Sequence, residues 1–283
     1  MSLFDYEALC SALEQLWRSF GVLPRVLGRT VLGRAVFALE LGAGRRRSLL
    51  VCGQSGDEGT LCAQVLRFCE SLLAAAREGA LFCSVDARRA LRESGVTVVP
   101  CLNPDGLELQ THGVSAAGPL RRFLRPLWQP DTLWKANAVG VDLRRQYPAG
   151  FFEARDRSLT QGFSAPGPGG YVGTLPCSEA EGRALCGLCR RERFCHALLV
   201  QKGDPALLWR AGESDRAKAL LGAKLLSQEG NLPLLPDGDD DGTFARWFAE
   251  TAGRPVFTAQ TGNGNVPLPE ADLVSLLTLA VLL

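Results

Sequence analysis

Apolar and polar positions along this chain follow two different periods, and their order predicts an α/β protein. Apolar residues recur at helical spacing over 5–19 and 58–78, whereas short apolar runs such as RRSLLVCG and GVTVVPC have the length of buried strands. Further helices are predicted over 178–192, 214–228, 242–253 and from Pro269 onward, with strands at CHALLVQKG and RPVFTAQTG. This alternation predicts a largely parallel sheet with helices on both faces, in a single domain spanning residues 1–283.

Two regions interrupt the regular alternation. Residues 1–26 are predicted to form an N-terminal amphipathic helix and a lead-in to the domain, before two short strands around the turn at Gly28 to Arg34. Residues 110–170 contain six prolines and little periodic pattern, so we expect a long irregular segment there. Such stretches in compact domains usually cover a site or move, and we expect this one to lie near a cleft.

The charge balance narrows the possible partners. Lys and Arg total 31 against 30 Asp and Glu, so the net charge is close to zero. This removes the electrostatic reason to expect nucleic acid or an anionic membrane as the main partner, and the run Arg45–Arg47 is expected to be a strand-entry turn. The apolar stretch LVSLLTLAVLL near the end is too short to span a bilayer and predicts a buried helix.

The ten cysteines are expected to be reduced thiols that act mainly as small core residues. No export signal is evident in MSLFDYEALCSALEQLW, so a cytoplasmic location is predicted. Cys186, Cys189, Cys195 and His196 have a spacing that a metal could use, but no second paired set occurs. One face of a core helix is therefore the favoured interpretation for Cys186 and Cys189.

Candidate chemistry lies in four turns at predicted strand ends. These turns are QSGDE at 54–58, NPDG at 103–106, GVDLRRQYPAG at 140–150 and FTAQTG at 257–262. Together with VLGRTVLGR, WKANAVGVDL and PCSEAEGRAL, their order and spacing resemble the M14 zinc carboxypeptidases. The likeness is greatest to the bacterial branch that cleaves γ-D-glutamyl-diaminopimelate bonds in cell-wall peptides. The resemblance implies the zinc-carboxypeptidase-like fold, with a mixed, mostly parallel twisted sheet of about eight strands.

The resemblance also assigns metal and catalytic positions, and most of them are altered. Members of the family hold zinc with a His-x-x-Glu pair and a second histidine, and a glutamate near the C-terminus acts as general base. Carried over to this chain, the two histidines correspond to Ser55 and Val200, and the general base corresponds to Gln260. Only the metal ligand Glu58 is retained. Since zinc needs about three N, O or S ligands, we expect no zinc and a catalytically inactive pseudo-peptidase.

Substrate-binding positions are partly retained. The asparagine and arginine that follow the family's Asp-Leu pair correspond to Arg144 and Arg145, so only Arg145 matches. Because a guanidinium can bind a carboxylate with two hydrogen bonds, we expect a peptide or amino-acid carboxylate to bind in the former active-site cleft. Lys135 is the cation closest to the expected position of the oxyanion arginine. Oligomeric state is left open.

Two alternatives also fit the sequence. One is an active zinc peptidase with unconventional ligands, such as Glu58 with His112 or with a strand-end cysteine, Cys52 or Cys101. His112 is expected in a solvated loop and His196 too far back along its strand, so neither is a favoured ligand. The other alternative is a scaffold or regulatory protein in which the cleft is vestigial.

Overall fold

A twisted mixed sheet forms the centre of the computed structural model, which describes residues 4–129, 131–235, 240–262 and 268–283. The strands are β1 (Arg25–Arg29), β2 (Ala35–Leu41), β3 (Arg46–Cys52), β4 (Leu81–Phe82), β5 (Val85–Asp86), β6 (Ser94–Val99), β7 (Ala197–Gln201), β8 (Gly203–Arg210) and β9 (Val256–Gly262). Seven described strands make the main sheet, in the order β1-β2-β6-β3-β7-β9-β8, and β4 pairs with β5 apart from it. Within the main sheet only β2 and β8 run against the other five.

Helices cover both faces of this sheet, as the sequence predicts. They are α1 (Tyr6–Phe20), α2 (Gly59–Glu78), α3 (Ala87–Glu93), α4 (Pro104–His112), α5 (Arg121–Leu124), α6 (Phe151–Thr160), α7 (Ala180–Arg191), α8 (Arg216–Glu229), α9 (Phe244–Ala252) and α10 (Glu270–Leu282). Residues of α1, α2, α8 and α10 share one buried apolar cluster with the sheet, and residues of α7 and α9 share the other. No described helix combines the length and the apolar character needed to cross a bilayer.

Alternation along the central strands decides which side chains face which cluster. In β3, Leu50 and Cys52 lie in the cluster with α2, whereas Leu49 and Val51 lie in the cluster with α7 and α9. This is the two-residue period of an extended strand. The same alternation in β7 separates neighbouring residues at its carboxyl end, where the candidate site lies.

The mixed, mostly parallel sheet that the sequence predicts is confirmed, with seven described strands in the main sheet against the eight or so expected. Strand β8 was not predicted, because Gly203, Asp204 and Pro205 obscure its apolar residues. The segment 110–170 is less irregular than expected, since it contains α6 and several short helical turns. His112 was expected in a loop, but it is the last residue of α4.

Candidate functional site

The turn after β3 is held by backbone contacts that leave little space. Gly56 approaches the chain so closely that a Cβ there would lie 2.4 Å from the carbonyl oxygen of Gly106 and 2.6 Å from that of Trp134. Its N–H donates to the carbonyl of Lys135 at 3.0 Å. The buried Asn103 side chain donates from Nδ2 to the carbonyls of Gln54 and Lys135, both at 3.3 Å. The NPDG turn therefore supports the QSGDE turn and fixes the direction of its side chains.

Glu58 is fully buried, and both of its carboxylate oxygens accept hydrogen bonds from backbone N–H groups. Oε2 accepts from Ser55 at 3.1 Å, and Oε1 accepts from Lys202 at 2.9 Å. Burial raises the pKa of Glu58 to about 7, against the lowering effects of the Arg144 charge and of these two N–H groups. The carboxyl group thus joins the turn after β3 to the residues that follow β7.

Two cationic side chains lie beside the acidic pair of this turn. Lys202 places Nζ 3.6 Å from Oδ2 of Asp57, whose other oxygen accepts from the Ser55 hydroxyl at 2.5 Å. Arg144 interacts electrostatically with both Glu58 and Asp57, and these charges, after that of Asp142, raise its pKa. Positive charge from Lys202 and Arg144 therefore lies next to the carboxylates that would otherwise attract a cation.

Arg144 is itself held by Asp142. Its Nε lies 3.5 Å from Oδ1 of Asp142, and its backbone N–H donates to the same oxygen at 3.1 Å. Burial acts to raise the pKa of Asp142, but the Arg144 charge and the N–H groups of Arg144 and Gly170 outweigh it, so the pKa is lowered. Asp142 is thus a stable anion that orients Arg144.

The carboxyl ends of β7 and β9 contribute two glutamines. Gln201 pairs with Gln260 in the parallel register, and both line the cleft described below. Gly203 makes room for Gln260, because a Cβ at Gly203 would lie 2.8 Å from its Cδ. Val200 points the other way: it is buried in the apolar cluster with α2. Gln201 is therefore the polar residue of β7 that lines the cleft, together with the apolar Leu199.

A cleft of about 350 Å³ opens beside these strand ends. Its charged lining consists of Arg144, Arg145, Lys202, Arg210, Asp142 and Asp240. Arg210 forms an ion pair with Asp240, and Arg145 donates from Nη1 to the carbonyl of Asp241 at 3.2 Å. Among the described lining residues, four cations against two acids give a positive excess, as a carboxylate-binding site requires.

Several residues proposed from sequence lie elsewhere. Lys135 is not part of the cleft lining and supports the QSGDE turn through its carbonyl. His112 contacts Asp5, with Nε2 and Oδ2 3.0 Å apart, and His196 contacts the carbonyl of Ala280 from inside the core. Burial lowers the pKa of His196 to about 4. Both histidines of the chain are therefore engaged outside the cleft.

The strand-end cysteines are buried, as expected. Cys52 and Cys101 both belong to the apolar cluster with α2. Burial raises the pKa of the Cys52 thiol, which disfavours the thiolate that a metal would bind. Among the described residues, one group of three His, Cys, Asp or Glu side chains is close enough together to hold a metal ion. It consists of Asp5, Glu108 and His112, and none of them lines the cleft.

Comparison with known proteins identifies the family. The sequence profile of the zinc carboxypeptidases, Peptidase M14, matches residues 10–235. The chain belongs to the zinc carboxypeptidase family. It is similar to gamma-D-glutamyl-L-diamino acid endopeptidase 1 of Lysinibacillus sphaericus, with 23% identity over 274 residues that cover 95% of this chain and 68% of that protein. The name of this relative agrees with the bacterial branch that the sequence resembles.

Solved structures of family members share the fold. Bovine thrombin-activatable fibrinolysis inhibitor superposes with a TM-score of 0.74 at 17% identity, covering 98% of this chain and 94% of that one. The murein-tripeptide amidase MpaA from Escherichia coli O157 gives a TM-score of 0.56 at 26% identity, covering 91% of this chain and 89% of that one.

The residues at the family's metal position do not fit zinc. Ser55 offers a neutral hydroxyl that already contacts Asp57, and neither Val200 nor Gln201 supplies an imidazole. Glu58 has a backbone N–H on each oxygen, and cations lie beside it. A zinc site needs about three N, O or S donors around one open position, and this set does not provide them.

Sequence reasoning missed Lys202 and Arg210 as cleft residues. Lys202 follows the last residue of β7, and a polar residue at the carboxyl end of a parallel strand is a signal for a site. Arg210 ends β8, which was itself not predicted. Arg144, Arg145 and Gln260 were predicted to lie together, and the cleft lining brings them together.

Proposed function

We propose that this member of the zinc carboxypeptidase family does not hydrolyse peptides and instead binds a peptide or amino-acid carboxylate in its cleft. The observation that carries the proposal is the ion pair of Lys202 with Asp57, beside a Glu58 carboxylate whose oxygens both accept backbone N–H groups. Protein cations stand where a metal would supply positive charge. Without zinc and with Gln260 at the general-base position, no group activates water for attack.

The cleft's charge supports an anionic ligand. Arg144 is oriented by Asp142, so its guanidinium does not have to be ordered when a ligand binds. Arg145 lies beside it, and two neighbouring guanidiniums suit a carboxylate that accepts paired hydrogen bonds. Gln201 and Gln260 add neutral donors and acceptors for the amide groups of a peptide. The relative named above acts on gamma-D-glutamyl-L-diamino acid bonds, which makes a peptide of that class the first ligand to test.

The alternative of an active enzyme with unconventional ligands has less support. It needs His112 or a cysteine to join Glu58, yet His112 contacts Asp5 and Cys52 is buried with a raised pKa. The alternative of a scaffold with a vestigial cleft makes a different prediction, because it expects no ligand to depend on Arg145.

Binding of a murein-type tripeptide, L-alanyl-γ-D-glutamyl-diaminopimelate, tests the proposal by calorimetry and by product analysis. We expect binding without hydrolysis, and at least a tenfold or so loss of affinity for Arg145→Ala, since hydrogen bonds to charged groups contribute about 1.5–3 kcal/mol. Arg121→Ala, an exposed arginine outside the cleft, is the matched control. Zinc-dependent hydrolysis would contradict the proposal, and equal binding by both variants would favour the vestigial cleft.

We also propose that the protein meets its ligand in the cytoplasm. All ten cysteines are free thiols, and Sγ of Cys177 lies 3.3 Å from Sγ of Cys186 without a bond between them. Many free cysteines without a disulfide framework are typical of proteins in a reducing compartment. Fractionation of the native host, with the protein recovered outside the cytosolic fraction, would count against this location.

A further inference from the structure

A second cavity lies at the opposite end of the sheet from the cleft. It has a volume of about 640 Å³ and is bounded by the residues that lead into β3, β7 and β9, together with the last turns of α7 and α9. The amino ends of the three parallel strands meet here, whereas the cleft lies at their carboxyl ends. The two cavities share no residue.

Arginine dominates the lining of this second cavity, which we call the basic pocket. Its six arginines are Arg45, Arg46, Arg47, Arg190, Arg193 and Arg254. Glu192 is the one acidic residue in the described lining, and it already contacts Arg25, whose Nη2 lies 2.5 Å from Oε1. Since the whole chain has a formal charge of only +1, the remainder of the molecule is net acidic. The positive charge is therefore concentrated at this place.

Two of these six arginines form ion pairs with carboxylates of the described residues, and three form no ion pair there. Arg47 lies 3.9 Å from Glu40, Arg254 lies 3.6 Å from Asp215, and Arg46 donates to the carbonyl of Leu283. By contrast, Arg45, Arg190 and Arg193 form no ion pair with any residue in the described part of the chain. Like charges that converge without counter-charges repel each other, so an anion that binds among them gains their combined attraction.

Arg47 supplies a further observation that points to a missing acceptor. Its Nη1 atom is buried and has no hydrogen-bond partner within the described residues, although Oε2 of Glu40 lies 3.9 Å away. Buried donors are nearly always satisfied, so a water molecule or a bound ion is expected to accept from this atom. Arg47 is one of the residues that line the basic pocket, so an anion bound there would lie close to this donor.

The floor of the basic pocket limits the kind of anion. Phe194, Trp247 and Phe248 line it, but all three are almost completely buried in the core between the sheet and α9. No aromatic face is free there for a nucleobase to stack on. Recognition therefore has to come from the guanidinium groups, which bind phosphoryl and carboxyl oxygens through paired hydrogen bonds.

We propose that the basic pocket binds a compact polyanion with several phosphoryl or carboxyl groups. One ligand with multiple negative groups can contact Arg45, Arg190 and Arg193 together, whereas a single carboxylate cannot neutralise all three. This site is independent of the cleft and of the carboxylate ligand proposed for it.

Calorimetric titration of the full chain at low ionic strength tests the inference, with inorganic tripolyphosphate and citrate as separate probes. We expect saturable binding of at least one probe with one site per chain, weakened by salt. The double variant Arg190→Ala, Arg193→Ala should lower the affinity by at least about tenfold for each arginine that contacts the ligand. Tripolyphosphate and citrate distinguish a phosphoryl ligand from a carboxyl ligand.

Arg191→Ala is the matched control, because Arg191 is also exposed at the end of α7 but does not line the basic pocket. Absence of binding to wild-type protein, or equal losses in the Arg191 control and the double variant, would overturn the inference. The inference would also be overturned if Arg145→Ala abolished tripolyphosphate binding while Arg45→Ala left it unchanged, because the anion would then bind in the cleft. A single-stranded oligonucleotide that outcompetes both probes would show a nucleic-acid surface instead. Arg45→Ala provides a second test if the double variant folds poorly.

Discussion

The backbone N–H of Lys202 donates to Oε1 of Glu58 at 2.9 Å. This bond connects the residue that follows β7 to the turn that follows β3, at the edge where the family's metal position lies. The other oxygen of Glu58 accepts from the N–H of Ser55. In this chain, the carboxylate at the family's one retained ligand position acts as a clamp between two strand ends.

The clamp predicts a stability effect at Glu58. Glu58→Ala leaves the buried N–H of Ser55 and the partly buried N–H of Lys202 without acceptors, and a buried N–H without an acceptor costs about 1–3 kcal/mol in the free energy of unfolding. Glu58→Gln keeps one acceptor oxygen, so we expect roughly half of that loss. Urea unfolding of the two variants measures the difference. Wild-type stability in Glu58→Ala would mean that these hydrogen bonds contribute nothing.

The directions in which the side chains of β7 point predict where a metal ligand can be restored. In a Lys202→Ala background, Ser55→His with Gln201→His supplies one imidazole from the turn that carries Glu58 and one from the cleft lining, so we expect zinc uptake. Ser55→His with Val200→His should not bind zinc, because Val200 points into the apolar cluster. We also expect this second combination to unfold more easily, since it buries a polar ring. Titration against a chromophoric zinc chelator compares the two, and equal uptake would contradict the facing described here.

Glu181 predicts a pH dependence of stability. Burial raises its pKa to about 8, and its Oε1 has no hydrogen-bond partner among the described residues. In the range from the ordinary glutamate value of 4.5 to about 8, the folded protein keeps a proton that the unfolded chain has released. The free energy of unfolding therefore falls as pH rises through this range.

Glu181→Gln removes that contribution. Relative to wild type, we expect the variant to become more stable between about pH 5 and about pH 8, by as much as several kcal/mol, since one pKa unit corresponds to about 1.4 kcal/mol. Glu250→Gln, at an exposed position, controls for the same chemical change elsewhere. Unfolding curves for Glu181→Gln that keep a constant offset from wild type at both pH values would contradict a raised pKa at Glu181.

Sequence predicted the fold and the position of the cleft because strand-end turns carry their own signals. QSGDE and FTAQTG follow apolar strands, and Arg144 and Arg145 follow the family's Asp-Leu pair, so their meeting at one sheet edge could be expected. The side of the sheet to which a single side chain points could not be predicted from the sequence. The second histidine of the family was assigned to Val200 by counting residues back from Gly203. The direction of a side chain, however, depends on how the strand is paired in the sheet.

The basic pocket lay beyond sequence reasoning for a different reason. Arg45–Arg47 are about 150 residues from Arg190 and Arg193 along the chain, and the sheet order alone brings them together. Taken by itself, the run Arg45–Arg47 was interpreted as a strand-entry turn, and it does begin β3. The run Arg45–Arg47 becomes part of a pocket only because the first residues of neighbouring strands and the ends of two helices lie next to it.

The metal content of the protein shows whether the position of Glu58 holds zinc. Elemental mass spectrometry of the purified, untagged protein would be measured after dialysis and again after incubation with zinc. The proposed loss of the zinc site predicts far less than one zinc per chain in both samples, because the Lys202 and Arg144 cations and the N–H groups of Ser55 and Lys202 already satisfy Asp57 and Glu58. One tightly held zinc per chain, lost on Glu58→Ala, would contradict it.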